Sequence, residues 1–285
     1  MDKTKIISYY ATMHSNEDSQ MLRRTQPAQL AHDDTGGSGQ LVVLLPGAGD
    51  LRSEYRFIVD DLASAGYRVV TADLPGHGDS PTASEYTVAS TADAIANLIE
   101  SLDAGPAVVV ATSFAPAATV WAATGHSGRI SGLVAISPHL HADRSVKGRL
   151  LSVATGLLLR GPWAQGVWAR LYTGWYKASP PDDLATEVSR LRTMLADPSR
   201  RRAVRRTLTA DRDGVDGRIE RFDLPSLVIF GSADDHFADP VAEAESTAAQ
   251  LHGAHLIIEG AGHYPHVEQP DVVAQAILSF LQRLP

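Results

Sequence analysis

Residues 107–123 read AVVVATSFAPAATVWAA, and the fold turns on how this stretch is understood. The β-branched run Val108 to Val110 has the length and composition of a buried parallel strand. Beyond Ser113, the small apolar residues Ala117 to Ala123 suit a buried helix. The chain must therefore reverse within a few residues, with one hydroxyl at the apex. A strand turning sharply into a helix lifts the apical side chain above the carboxyl edge of the sheet. It also aims the helix's unpaired N–H groups at the same point. Such a turn needs small residues two before and two after the apex, where Ala111 and Ala115 stand. Pro116 falls in the first helical turn, where a missing N–H costs nothing. The layout is that of a nucleophile elbow, although Ala111-Thr112-Ser113-Phe114-Ala115 departs from the usual G-x-S-x-G. Taken alone it also reads as a serine capping the next helix, so the rest of the chain must decide.

Working outward, Leu41 to Leu45 reads as a buried strand closed by Pro46-Gly47-Ala48-Gly49. Asp50 then stands where it can cap a helix over residues 51–66, with Tyr67 to Ala72 as the next strand. A short extended stretch from Ala28 to Asp33 precedes them, ended by the turn cluster Thr35 to Gly39. The glycine-rich turn Leu74 to Ser80 leads to a helix over 87–102, and Ile130 to Ser137 follows the elbow helix as a strand. Strands alternating with helices at this spacing imply right-handed βαβ units and a parallel sheet. Residues 139–222 break the pattern with helices alone. Sheet logic resumes with a strand at Ser226 to Phe230, a helix from Val241 to Leu251, a strand from His255 to Ile258 and a last helix over 270–283. The expected organisation is an arm over 1–25, an α/β core over 26–138 and 223–285, and a helical insertion over 139–222.

Composition narrows the classes. At 285 residues, 44% hydrophobic and 20% charged, the chain can bury one large α/β core. It has no cysteine, which excludes disulfides, thiolate metal sites and a cysteine nucleophile. The first twenty residues lack an apolar core of signal-peptide length, and no segment offers an uninterrupted membrane span, so a soluble, cytoplasmic protein is expected. Net charge is −8, unevenly spread: residues 139–222 hold sixteen Lys or Arg against nine Asp or Glu. With an acidic whole and no recognition module, nucleic acid is not an expected partner.

Four segments in order, LVVLLPGAGD (41–50), DLPGHGDS (73–80), the Ser113 elbow, and the late pair GSADD (231–235) with GAGHYPHVEQP (260–270), resemble the α/β-hydrolase fold with a helical cap. The resemblance spans nearly the whole chain from Leu41 onward. Serine is a weak nucleophile until a base takes its proton, and imidazole, held by a carboxylate, is that base near neutral pH. The family's order of nucleophile, acid and histidine implies Ser113, Asp234 and His263, with Asp235 and His266 as immediate rivals. It implies an oxyanion hole from the backbone N–H groups of Phe114 and Ala48, the latter main-chain and so indifferent to Pro46 replacing the family's usual histidine. A serine rather than an aspartate at the apex disfavours haloalkane dehalogenase and epoxide hydrolase chemistry. Esters, lactones, thioesters and carbon–carbon bonds beside a ketone remain open, and none of these reactions needs a cofactor. His77, His139, His141 and His236 fall near the expected mouth, but their spacing suggests no metal cluster.

Within the insertion, Trp168, Tyr172, Trp175 and Tyr176 fall at helical spacing. They read either as the cap's own small core or, with Leu158, Trp163 and His139, as the roof of an apolar pocket for a small acyl substrate. Arg200, Arg201, Arg202, Arg205 and Arg206 form a basic helical face, either plain solvated surface or a dock for an acidic acyl carrier. Other readings of the same site are acyl transfer or cyclisation, and a ligand-binding or signalling protein on the same fold.

Overall fold

The computed structural model describes residues 29–142 and 146–284, so the expected arm over 1–25 lies outside the described residues. Seven strands form one sheet: β1 (His32–Asp34), β2 (Leu41–Leu45), β3 (Arg68–Ala72), β4 (Ala107–Thr112), β5 (Ile130–Ile136), β6 (Ser226–Gly231) and β7 (Ala254–Ile258). Their spatial order is β1-β3-β2-β4-β5-β6-β7, parallel throughout except for β1, which runs antiparallel along β3. The central strands β2 and β4 are buried along their whole length. Alternate residues serve opposite faces, as the two-residue period of a strand demands. Leu41, Val43, Leu45, Val109 and Ala111 enter one core with the helices α2 (Val88–Leu102) and α3 (Ala115–Gly125). Val42, Leu44, Val108 and Val110 enter the other, with Leu62 of α1 (Val59–Ser64) and Ile277 of the C-terminal helix Pro270–Leu281. Each fully buried Val or Leu contributes about 1.5–3 kcal/mol through removal from water.

The structure corrects two local expectations. The helix expected over 51–66 is interrupted: a 3₁₀ turn at Arg52–Tyr55 precedes α1. Asp50 does not cap it: Leu51 holds the N-cap position of that turn, and the Arg52 N–H at its start donates to Asp73 Oδ1 at 2.8 Å. By contrast, the helix expected from residue 87 begins with a full capping box, in which Thr87 and Ser90 bond reciprocally.

Between β5 and β6 the described chain contains helices only: α4 (Val146–Leu158), α5 (Ala164–Gly174), α6 (Leu184–Ala196), α7 (Pro198–Leu208) and the single turn α8 (Asp216–Ile219). Trp168, Tyr172 and Tyr176 pack with Leu191, Leu195 and Val204 into a third core, which also takes in Tyr264 and Val267 from beyond β7. The segment is fastened to the sheet's carboxyl edge. Trp168 Nε1 donates to the Gly49 carbonyl at 3.1 Å, and a Cβ on Gly49 would meet the Trp168 ring at 2.2 Å.

Candidate active site

β4 ends at Thr112, α3 begins at Ala115, and the apex between them is Ser113 in the left-handed region, at φ 60°. A non-glycine residue rarely adopts this conformation without being forced, and such strain concentrates at reactive sites. The backbone holds it on both sides: Ser113 N–H donates to the Ile136 carbonyl at 2.9 Å, and His139 N–H donates to the Ser113 carbonyl at 2.8 Å. Ala111 and Ala115 are fully buried, as the tight turn requires. Opposite stands Gly47, where an added Cβ would lie 3.2 Å from Ser113 Cβ, so glycine permits the loop after β2 to come this close. The backbone N–H groups of Ala48 and Phe114 donate to no carbonyl of the described loops.

Two loops at the same edge bring a carboxylate and an imidazole together. Asp234 follows β6 and His263 follows β7, and their neighbouring strands bring them together. His263 Nδ1 lies 2.8 Å from Asp234 Oδ2, with both side chains almost fully buried. Burial alone would raise the Asp234 carboxyl, but the charge and hydrogen bond of His263, with His236 behind them, hold it well below the usual carboxylate range. Asp235 points elsewhere, pairing with Lys177 at 2.7 Å. His266 also goes elsewhere: its Nε2 lies 2.8 Å from Glu54 Oε1, and its ring stacks on Tyr55. No hydrogen bond joins Ser113 Oγ to His263 among the described residues. In a ligand-free site that contact is often long and tightens when substrate binds.

The proposed pocket residues divide. Trp168 and Tyr172 are buried in the core of the helical segment, and the His139 ring lies 5.8 Å from that of His263. Leu158 and Trp163 sit on the outside, 46% and 59% exposed, and the structure does not bring them to Ser113. Of the basic run, Arg200 donates to the Ser80 carbonyl and Arg201 to those of Leu195 and Ala196, so both serve the fold. Arg202, Arg205 and Arg206 gather with Arg160. Partial burial and these neighbouring guanidinium groups hold the Arg205 pKa below its ordinary value.

Three features escape a reading of the sequence. Asp50, expected as a cap, is buried beside Gly47 and accepts from the Tyr264 hydroxyl at 2.9 Å. Burial, together with the charge of Glu54, pushes its carboxyl well above the ordinary range despite the Tyr264 bond. Glu268 fastens the histidine loop to the helical segment: Oε1 accepts from Gly262 N–H at 2.6 Å, while Oε2 accepts from the N–H groups of Lys177, Ala178 and Ser179. Finally, spacing suggested no metal cluster, yet His139 and His236 gather on His263, with the His236 and His263 ring centroids 3.9 Å apart. Burial, then the charge of His263, lowers His139 well below the usual histidine range and His236 to about 3. His77 locks its own turn, Nδ1 being 3.0 Å from the Pro75 carbonyl, and His141 pairs with Asp216.

Comparison with known proteins bears on the family and the fold. The chain is 28% identical over 277 residues to a putative non-heme bromoperoxidase, BpoC, of Mycobacterium tuberculosis, covering 88% of this chain and 97% of the relative. It is 26% identical over 237 residues to a pimeloyl-[acyl-carrier protein] methyl ester esterase of Neisseria meningitidis, covering 80% and 88%. A thermophilic esterase from Thermogutta terrifontis shares the fold, with a TM-score of 0.75 at 24% identity over 90% of this chain and 93% of that one. Residues 42–276 match the profile of the alpha/beta hydrolase family, and the chain belongs to that family.

Proposed function

We propose that this chain is a serine hydrolase that cleaves a carboxylic ester, lactone or thioester through an acyl-enzyme on Ser113. The observation that carries the reading is the strained apex of Ser113, facing the loops that hold the bonded pair His263 and Asp234. Ser113 Oγ attacks the acyl carbonyl while His263 Nε2 takes its proton. Asp234 on Nδ1 fixes the tautomer and stabilises the imidazolium. The N–H groups of Ala48 and Phe114 receive the oxyanion, worth about 3–4 kcal/mol per donor in comparable sites. His263 returns its proton to the leaving group, and water activated by the same imidazole then releases the acyl group. The reaction calls for no cofactor. The helices between β5 and β6 act as the lid, with Trp168 and His139 at the inner wall.

The test is direct. Purified protein should hydrolyse short p-nitrophenyl esters and react at Ser113 with a fluorophosphonate. Ser113→Ala should lower turnover by ~10³-fold or more and abolish the labelling. Ester turnover that survives Ser113→Ala would overturn the assignment.

A carrier-bound acyl ester is the substrate class best supported by a specific observation. The Arg160, Arg202, Arg205 and Arg206 cluster lies on the lid, and an acyl-carrier ester is what the named Neisseria relative acts on.

A further inference from the structure

Three imidazoles from separate stretches of chain converge where the proposed hydrolase keeps its base. His139 follows β5, His236 lies in the loop after β6, and His263 lies in the loop after β7. Each offers one ring nitrogen, and these atoms all lie within 4.8 Å of one another. Their supports resemble the groups that hold metal-bound histidines in place. Asp234 Oδ2 binds His263 Nδ1, which leaves Nε2 as the ring nitrogen open to a metal, and a carboxylate on the far nitrogen is the usual partner of a metal-bound histidine. Asp234 Oδ1 accepts from the His236 backbone N–H at 3.1 Å, so one carboxylate positions two of the three residues. His139 is held from the other side, its ring stacked on Phe237 with centroids 4.6 Å apart. His236 Nδ1 is buried without a hydrogen-bond partner among the described residues. Such a polar atom is costly unless something binds it.

We propose that His139, His236 and His263 form a three-histidine site for a divalent cation of the Zn²⁺ class, and that its occupation reversibly silences the hydrolase by engaging His263 Nε2. Neutral imidazoles favour Zn²⁺, Ni²⁺ and Cu²⁺ over the hard cations Mg²⁺ and Ca²⁺, which take oxygen ligands. At Zn–N distances of about 2.0–2.1 Å, tetrahedral ligands stand roughly 3.4 Å apart, so the rings need to close by on the order of 1 Å. Three protein ligands leave one coordination position for water. The inhibition is simple chemistry: the lone pair that would accept the Ser113 proton is donated to the metal, and removal of the metal returns it.

The binding half of the proposal stands on the histidines alone, while the inhibitory half rests on the serine-hydrolase reading. Calorimetric titration of Zn²⁺ into the full chain is expected to show one site, retained in Ser113→Ala and weakened at least tenfold in His139→Gln and in His236→Gln. Co²⁺ in the unmutated protein should give the intense visible absorption of a tetrahedral nitrogen site, a readout that does not depend on any variant folding. Weak, octahedral-type Co²⁺ absorption, or Zn²⁺ affinity untouched by both substitutions, would overturn the site. Ester hydrolysis should be lost with Zn²⁺ and recovered with a chelator. If the protein hydrolyses esters equally well with the site filled, the inhibitory role falls. If Zn²⁺ binds as described but the protein hydrolyses no ester without it, the metal site stands and the serine reading fails.

Discussion

The Asp50 carboxyl is buried between Gly47 and Tyr264, and its Oδ1 atom has no hydrogen-bond partner among the described residues. Burial and the charge of Glu54 raise its folded pKa, so the sign of its effect on stability is fixed. Above the unfolded pKa of about 3.9 the unfolded chain gives up this proton while the native protein keeps it, so this group opposes folding increasingly as pH rises. Asp50→Asn removes that opposition and can still accept from Tyr264. It should raise the Tm at pH 7–8 by ~2–4 °C per kcal/mol recovered, and the gain should vanish below about pH 4 in scanning calorimetry. A neutral-pH Tm at or below that of the unmutated protein would contradict the account. Residue identity alone could not reveal this. An aspartate before a helical pattern reads as a cap, whereas its true partner, Tyr264, stands 214 positions later. The proximity of His263 and Asp234 was legible for a different reason: the resemblance to the α/β-hydrolase fold pointed to both positions, and both follow strands that end at one edge of the sheet.

At the scale of elements, the histidine loop and the helical segment between β5 and β6 are joined at Glu268, at the end of the short helix Pro265–Glu268. One carboxylate receives four backbone N–H groups, from Gly262 and from Lys177, Ala178 and Ser179. The approach is close: a Cβ on Gly262 would meet the Trp175 carbonyl oxygen at 2.0 Å. Glu268→Gln turns one acceptor oxygen into an amide NH2 donor that faces N–H donors, at a cost of about 1–3 kcal/mol. The Tm should fall by several degrees, and the rate of fluorophosphonate labelling at Ser113 should fall roughly tenfold as His263 loses its anchor. Labelling at the normal rate would show that the loop holds without this bond. Strands β2 to β7 and the helices over 87–102, 241–251 and 270–283 could be read to within about two residues, whereas the extended stretch expected from Ala28 to Asp33 pairs as β1 only at His32–Asp34, and the helices over 139–222 carried no readable bounds. What periodicity could not show was the break between Arg52–Tyr55 and α1, because apolar spacing continues across it while the hydrogen bonding does not.

Across the whole molecule, the alternation of strands and helices gave the parallel sheet, and its loss after β5 matches the run of helices in the described chain between β5 and β6. The antiparallel β1 and the lateral order of strands came only from the structure, since pairing between distant segments leaves no local pattern. Charge follows the same division, with residues 139–222 basic and the remainder acidic. If an acidic carrier docks on the lid, Arg205→Glu with Arg206→Glu should raise KM several-fold for a carrier-bound ester at low salt and leave a free short ester unaffected. That difference should close near 0.5 M salt, where the screening length is only about 4 Å. An equal change for both substrates would place the arginines outside any docking surface. The two-sided charge has a practical corollary. Because a net charge of −8 divides into a basic stretch over 139–222 and an acidic remainder, the molecule should adhere to both anion- and cation-exchange surfaces at the same pH.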